Sequence, residues 1–515
     1  MVQMSTRSVV FVCGLMASFA VGGGCVVDGN GDDGARGGLH EDVSYKLNAL
    51  EFGDATGTVR TYSDNAKVSL KQNKIRNQDF FTTLGTNGRA CIHCHVPDEG
   101  WAITPANVQR RFTHPLDLTN PDCLVDPTTC AAVADPANAG LDPIFRTNDG
   151  ANSPLADVST ADARRAAYSM LLSRGVIRIG LPIPANAEFA LIAVDDPYGY
   201  ASAAQLSLFR RPLPATNLRL SPVGPPGQNK KLPPPTPVLT TVMWDGRESP
   251  PGTDIIADLM DQAQGATLGH AQAIAGLTST QTSSIVDFET GLHTAQSADN
   301  VAGDLTASGG QGGPDWLSGN QPFYPGINDV IAGDSQTGAP FNPDVFTIFV
   351  GWSGSANPSE AQIARGEALF NRKPIAITGV GGLNDKLGQR VISGTCTTCH
   401  DSPNYGHHSV PLAINIGIAD GARRTPDLPL YTLQNLTTGE TVQTTDPGRA
   451  LITGKWADIG KFKGPILRGL AARAPYFHNG MAATVNDVID FYDTRFAIGF
   501  TSDEKADLAA FLLAL

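Results

Sequence analysis

Two short segments that share one spacing constrain this chain more than any other feature. Residues 91–95 read CIHCH and residues 396–400 read CTTCH, so both follow the pattern C-x-x-C-H. This spacing is typical of covalent haem c attachment, in which two thiols add to the two vinyl groups of one haem and the next histidine binds the iron. The pattern therefore predicts two covalently bound haem c groups. The residues that attach and ligate them are Cys91, Cys94, His95, Cys396, Cys399 and His400.

A redox-active cysteine pair and a zinc knuckle are the alternatives to haem attachment. A redox pair does not call for the trailing histidine, and a zinc site built on two cysteines and one histidine lacks a fourth ligand nearby. Haem attachment is therefore the favoured interpretation of both segments. Two further cysteines, Cys123 and Cys130, are separated by six residues. In an oxidising compartment this spacing favours a disulfide.

The N-terminal residues 1–24 have the pattern of an export signal. Arg7 precedes the apolar run 9–21, which three glycines and Cys25 follow. The run is too short for a membrane span. Export predicts a periplasmic protein, either secreted without an anchor or held as a lipoprotein by an acyl chain on Cys25. Residues 25–64 are interpreted as a flexible tether.

The amino-acid composition limits the possible fold classes and argues against one class of binding partner. The 515 residues include 55 glycines and 36 prolines, which favours long ordered loops and argues against a coiled coil or a plain helical bundle. The net charge of −13 argues against a nucleic-acid partner, because an acidic surface repels phosphates.

Helical periodicity recurs along the chain. Segments with this spacing are 161–174, 254–264, 484–493 and 502–515, and a further helix is predicted to begin at Ser359 with a capping box to Gln362. The expected fold is mainly α, with two cytochrome c-like haem lobes, long ordered loops and little β structure. The N-terminal haem lobe is assigned to 65–355 and the C-terminal haem lobe to 356–515.

Four segments around these motifs resemble a known family. They are LGTNGRACIHCHVPDEGW at 84–101, MWDGRE at 243–248, IARGEALFN at 363–371 and APYFHNG at 474–480. Together they resemble the bacterial dihaem cytochrome c peroxidase and MauG superfamily over about 70–515. The resemblance implies that the first haem reacts with peroxide and that the second, six-coordinate haem relays an electron. It also implies that His95 and His400 are the proximal ligands and that Trp244 lies between the haems.

The sixth ligand of the second haem is where this chain departs from the ordinary peroxidases. They place a methionine fourteen residues after the histidine of the PYFH motif, whereas counting from His478 reaches Tyr492, and no methionine follows Met481. A tyrosine here is similar to MauG and its relatives, in which the tyrosine oxygen binds the iron. An anionic oxygen ligand favours ferric iron, whereas a thioether raises the potential. The alternative is that Tyr492 only forms the buried edge of its helix.

The open face of the first haem needs a group that moves the peroxide proton. Gln262 matches the distal glutamine of the family, but the family's proline falls on Ala266 and its glutamate has no clear counterpart. His270 is the best substitute, since imidazole accepts and returns a proton near neutral pH; the alternative is an exposed loop histidine. The resemblance also leaves open a calcium ion held by the stretch 210–217, whose two arginines would otherwise pair with haem propionates.

The function predicted from these features is a periplasmic dihaem oxidoreductase that reduces hydrogen peroxide. Its electrons would come through the second haem from a cytochrome or cupredoxin donor. A first alternative is a MauG-like oxidase that modifies a residue, such as a tryptophan, on a partner protein. A second alternative is a non-enzymatic dihaem electron carrier in which both irons are six-coordinate.

Overall fold

The computed structural model describes residues 48–70, 78–114, 139–221, 242–248, 254–319 and 323–515. All of these fall within one compact unit, Tyr45–Leu515. The predicted export signal at 1–24, the predicted anchor at Cys25 and the predicted disulfide between Cys123 and Cys130 lie outside the described residues. Within the described ranges, the helices are too short or too polar to cross a bilayer.

The helices are mostly short and begin at capping side chains. In the described part of the chain they are α1 Pro105–Thr113, α2 Ala161–Ala167, α3 Ser169–Arg174, α4 Ile255–Gly269, α5 Ser279–Thr290, α6 Gly313–Gly319, α7 Pro358–Arg372, α8 Asn384–Leu387, α9 Ala450–Thr453, α10 Val485–Phe496 and α11 Ser502–Leu513. Short 3₁₀ helices at Cys91–His93 and Cys396–Thr398 begin the two C-x-x-C-H segments.

A helix is present at each predicted segment, but several boundaries differ: α4 extends to Gly269 and α10 to Phe496, beyond the predicted ends at 264 and 493. As predicted, Thr484 caps α10, where its side chain accepts a hydrogen bond from the N–H of Asp487. The capping box predicted at Ser359 is wrong, because α7 begins one residue earlier and the Asn357 side chain accepts from the N–H of Ser359. The helix predicted over 161–174 is divided into α2 and α3, because the backbone of Tyr168 leaves the helical conformation.

The strands contain two to eight residues each. They are β1 Ala49–Gly53, β2 Gly57–Ser63, β3 Ile177–Leu181, β4 Phe189–Asp195, β5 Leu206–Arg210, β6 Leu292–Asp299, β7 Gly303–Asp304, β8 Ile375–Thr378, β9 Val391–Gly394, β10 Ala413–Ile414, β11 Leu430–Asn435, β12 Thr441–Thr444 and β13 Phe462–Lys463. They form a four-stranded sheet in the order β1-β2-β6-β7, a three-stranded sheet in the order β12-β11-β4, and three antiparallel pairs.

The prediction of a mainly helical chain with little β structure is wrong, because 31% of the structure is helix and 18% is strand. The strands are short, and several pair with segments far along the chain: β2 pairs with β6, from Gly57 opposite Asp299 to Ser63 opposite Leu292. Such pairing leaves no local periodic signal long enough to detect. From Ala49 onward, the segment predicted as a flexible tether over 25–64 contains β1 and β2, which form a local hairpin.

Two apolar clusters lie beside the two C-x-x-C-H segments. The first includes Phe80, Ile92, Trp101 and Phe288, with Cys91 packed against it. The second consists mainly of residues from α7, α10 and α11 and the chain before α7, with Cys396 packed against it. Each motif is therefore built on its own buried base, although all described residues share one compact unit.

Helices α7 and α11 cross at Gly366, which belongs to the IARGEALFN segment. A Cβ atom at Gly366 would lie 2.0 Å from the carbonyl oxygen of Asp507 and 2.6 Å from Cβ of Phe511. Backbone atoms cannot move aside as a flexible side chain can, so the close approach of the two helices requires glycine.

Gly366→Ala should therefore lower the free energy of unfolding by about 1–3 kcal/mol through overpacking, even though alanine has the higher helix propensity. Urea denaturation of the purified protein measures the change. Gly269→Ala at the end of α4 is the matched control, because no atom lies within 4 Å of a Cβ placed there. Equal stability of the two variants would contradict the close crossing.

Candidate functional site

The first C-x-x-C-H segment opens onto a cavity, the first cavity, whose wall includes Cys91, Cys94 and His95. The second segment opens onto a second cavity, whose wall includes Cys396, Cys399 and His400. The first cavity has a volume of about 190 Å³ and the second a volume of about 210 Å³. The structure thus places each predicted set of attachment residues on the wall of its own cavity.

The four motif cysteines are free thiols. Burial raises the pKa of Cys91 and Cys94, and it raises the pKa of Cys396 and Cys399 to about 12. The thiols are therefore neutral at neutral pH. Within each motif they stand side by side on a cavity wall without forming a disulfide, which is the arrangement that thioether attachment of a haem requires.

His95 is held by a hydrogen bond from Nδ1 to the carbonyl oxygen of Trp101, at 3.2 Å. Burial lowers the pKa of His95 to about 4, so its imidazole is neutral at neutral pH. With the proton on Nδ1, the lone pair of Nε2 is available to a metal. This is the state that a proximal haem ligand needs.

Trp101, for which the sequence predicted no role, provides the carbonyl oxygen of that hydrogen bond. Its backbone has φ of +60°, which is unusual for a bulky residue. The indole Nε1 donates to Thr61 Oγ1 at 2.8 Å, and the ring packs against Phe80 and Phe288 with centroid distances of 6.0 and 5.4 Å. Tertiary contacts of Trp101 therefore fix the position of its carbonyl group, which accepts the hydrogen bond from His95.

His400 repeats this arrangement in the second cavity. Its Nδ1 donates to the carbonyl oxygen of Gly406, and burial lowers the pKa of His400. Gly406 has φ of +66°, and a Cβ atom there would lie 2.7 Å from the ring of Phe346. Glycine is therefore required at the residue that orients the second histidine.

Tyr492 lines the second cavity from α10. Burial, together with the neighbouring Cys399 and Cys396, raises the pKa of Tyr492. Among the described residues, none forms a hydrogen bond with its hydroxyl group. The side chain is half-buried on the cavity wall, a position compatible with the predicted ligand role, which stays a prediction.

Trp244 lies on the walls of both cavities. Its indole Nε1 donates to the carbonyl oxygen of Arg211 at 2.8 Å, and its ring centroid lies 6.2 Å from that of His478. His478 stacks on Phe462 at a centroid distance of 4.0 Å. The residue predicted to bridge the two haems is therefore part of the wall that the two cavities share.

Three cations border the cavities and form no salt bridge within the described ranges: the buried Arg468 and Arg473 and the half-buried Lys463. Burial lowers the pKa of Lys463 to about 8 and those of Arg468 and Arg473 to about 10. The two Nη atoms of Arg468 and Nε of Arg473 form no hydrogen bond within the described ranges. Unpaired buried cations are costly, and haem propionates are anions that would neutralise them. Together with the thiols and neutral histidines, they make both cavities suited to haem.

The stretch 210–217 differs from its predicted uses. Arg210 is not available to a propionate, because Asp446 and Asp245 already pair with it. Arg211 donates to backbone carbonyl groups, including those of Ile103 and Arg473. The side-chain amide of Asn217 is bonded to the backbone of Thr294 through both of its polar atoms. These contacts lend no support to a calcium site in this stretch.

Gln262 and His270, both assigned to the open face of the first haem, line the first cavity. Gln262 lies within α4, and His270 is the residue that follows the last turn of α4. The structure adds a partner that the sequence did not indicate, since Asp149 Oδ2 lies 2.5 Å from His270 Nδ1. Asp149 in turn is bound by Arg89.

The sequence also gave no indication of an acid that lines the first cavity. Glu289, the penultimate residue of α5, lines this cavity, and its Oε2 has no hydrogen-bond partner within the described ranges. Burial raises the pKa of Glu289 to about 8, so the carboxyl group is mostly protonated at neutral pH. No spacing signal links Glu289 or Asp149 to the cysteine motif, so only the fold brings Glu289 to the cavity and Asp149 to His270.

Comparison with known proteins finds partial similarity to cytochrome-c peroxidases. No family model matches. Over 132 residues the chain is 33% identical to cytochrome-c peroxidase IdrP2 of Denitromonas iodatirespirans, which covers 24% of this chain and 36% of that protein. Over 183 residues it is 27% identical to cytochrome-c peroxidase IdrP1 of Pseudomonas sp. strain SCT, which covers 32% of this chain and 42% of that protein.

The chain thus spans well under half the length of these curated relatives. Among solved structures, a MauG-like protein associated with microbial copper homeostasis is 25% identical, with 30% of this chain and 43% of that chain covered and a TM-score of 0.20. The names of the curated relatives agree with the two cysteine motifs and the four segments that surround them. Over the matched segments the chain is similar to bacterial cytochrome-c peroxidases, which agrees with the resemblance of its motifs to the dihaem peroxidase and MauG superfamily.

Proposed function

We propose that this protein is a periplasmic oxidoreductase that carries two covalent haem c groups and reduces hydrogen peroxide. One haem would be held by the segment 65–355 and the other by 356–515, and a cytochrome or cupredoxin would supply the electrons on the side of the second. The observation that carries this proposal is the pair of cavities, each with two neutral thiols and one neutral histidine, joined by a wall that contains Trp244.

The chain's own groups divide the work of holding the cofactor. Cys91, Cys94, Cys396 and Cys399 form the thioether bonds, and His95 and His400 present Nε2 to the irons. Lys463 and Arg473 on the shared wall and Arg468 on the wall of the first cavity would neutralise haem propionates. A bound haem supplies redox-active iron at which the O–O bond of peroxide can be cleaved.

His270 and Gln262 handle the peroxide. His270 Nε2 accepts the proton of the entering peroxide and returns it to the departing oxygen, which leaves as water. Gln262 orients the peroxide by hydrogen bonding. Over one cycle H₂O₂, two electrons and two protons give two molecules of water, and Trp244 passes electrons across the shared wall.

The peroxide reaction can be tested on the ferric protein. One equivalent of hydrogen peroxide should change the optical and EPR signals of both haems, one initially high-spin and one low-spin. In Trp244→Phe we expect the second haem to respond at least about 10-fold more slowly, because the indole that joins the cavities is gone. Two low-spin haems that are indifferent to peroxide would overturn the enzyme proposal and favour an electron carrier.

A second candidate function is a MauG-like oxidase that modifies a residue of a partner protein. The observation that favours it is Tyr492 on the wall of the second cavity, because an oxygen ligand stabilises oxidised iron. This candidate predicts that the state formed with one equivalent of peroxide persists when no donor is added. Rapid return to the ferric spectrum on addition of a reduced cytochrome, with continuous turnover, would favour the peroxidase instead.

A further inference from the structure

A buried ionic pair supports the proton-transfer residue of the first cavity. Asp149 is 5% exposed, and its Oδ2 accepts a hydrogen bond from His270 Nδ1 at 2.5 Å. Although burial alone would raise it, the pKa of Asp149 is lowered by the charge of Arg89 and the hydrogen bond from His270. Asp149 is therefore a carboxylate at neutral pH.

Arg89 fixes that carboxylate in place. Its Nη1 bonds to Asp149 Oδ1 and, at 3.1 Å, to the carbonyl oxygen of His270. Its Nε and Nη2 donate to the carbonyl oxygens of Pro143 and Ile144, at 2.7 and 2.6 Å. Since one guanidinium holds both Asp149 and the backbone of His270, their relative position is rigid. Arg89 also stands two residues before Cys91, which ties the pair to the haem-attachment segment.

The hydrogen bond determines which ring nitrogen is free. A carboxylate beside Nδ1 stabilises the tautomer with the proton on Nδ1 and leaves the lone pair on Nε2. His95 and Glu248 are the other titratable groups that interact electrostatically with His270.

We propose that Asp149 is a positioning residue that makes His270 Nε2 the proton acceptor of the first cavity. The proposal rests on the proposed open first haem, and it concerns any weak acid that must lose a proton as it binds there. Hydrogen cyanide is a convenient probe of this class, since its binding as cyanide transfers one proton to the acceptor. Nitric oxide has no proton to lose and tests access to the cavity alone.

Stopped-flow measurement on the ferric holoprotein at pH 7 provides the test. Asp149→Asn should slow cyanide association about 10–100-fold, in the range of general base effects, and leave nitric oxide association within about 2-fold. His270→Gln should slow cyanide similarly, and the double variant should be no slower, because the two residues act as one unit. Asp149→Glu should recover most of the rate by restoring the carboxylate.

Asp142→Asn is the matched control. Asp142 forms an equally buried pair with Arg111, at 2.6 Å, in the same part of the fold, but has no bond to His270. The rate of cyanide association in Asp142→Asn should stay within about 2-fold of the rate in the parent protein. Equal cyanide rates in Asp149→Asn and the parent would overturn the role of Asp149 while leaving the proposed function intact. If the parent binds neither probe, the open first haem itself is wrong, and the inference fails with it.

Discussion

Replacing Cys91 and Cys94 together by serine should leave a protein with one covalent haem in place of two and without a peroxide reaction. Serine hydroxyls do not add to haem vinyl groups, so the first cavity would lose its covalent occupant while the second keeps its own. The pyridine haemochrome spectrum, referred to protein concentration, measures the haem count. We expect it to fall by half, and the rate of peroxide consumption to fall by at least about 100-fold.

The reciprocal variant, Cys396→Ser with Cys399→Ser, is the control for this experiment. It should also lose one haem, but its remaining haem would be the one in the first cavity, and a single peroxide addition should still alter its spectrum. Both double variants should be less stable than the parent, by about 3–5 kcal/mol, since a buried cation would lose its anionic partner. An unchanged haem count in either variant would contradict covalent attachment through that motif.

The attachment residues could be predicted from sequence because their spacing is set by the chemistry of one haem. Cys91 and His95 are connected through a single turn of chain, and the same holds for Cys396 and His400. The local backbone therefore brings the two cysteines and the histidine of each motif together without contacts from distant segments. In the structure each of these sets lies on a cavity wall. Tyr492 and Trp244 came from matching the family's motifs, and both line the cavities.

The missed features depend on contacts between distant segments. Asp149 precedes His270 by 121 residues, and neither residue lies in a recurring pattern. The strands were missed for the same reason, because β4 finds its partner β11 more than two hundred residues later. Glycine and proline were interpreted as loop formers, yet much of the chain between them pairs in short antiparallel strands.

Replacing Tyr492 by phenylalanine should raise the midpoint potential of the second haem by on the order of 100 mV, since axial ligands tune haem potentials over about 0.8 V. The phenol oxygen favours ferric iron as an anion, and its removal withdraws that preference. Tyr492→Met should raise the potential further, because a thioether favours ferrous iron. Spectroelectrochemical titration gives the potential, and the EPR spectrum of the ferric protein shows whether the low-spin signal changes.

Tyr476→Phe separates ligation from simple removal of a hydroxyl group. Tyr476 also lines the second cavity, but its hydroxyl already donates to the carbonyl oxygen of Leu470 at 2.8 Å, and it does not need the iron as a partner. We therefore expect its potential to stay within about 30 mV of the parent, which is about 0.7 kcal/mol for one electron. If both tyrosine variants shift the potential equally, Tyr492 acts through the polarity of the cavity and not as a ligand. If only Tyr492→Phe shifts it, the tyrosine oxygen is the sixth ligand, and the second haem is tuned to remain oxidised until a donor reaches it.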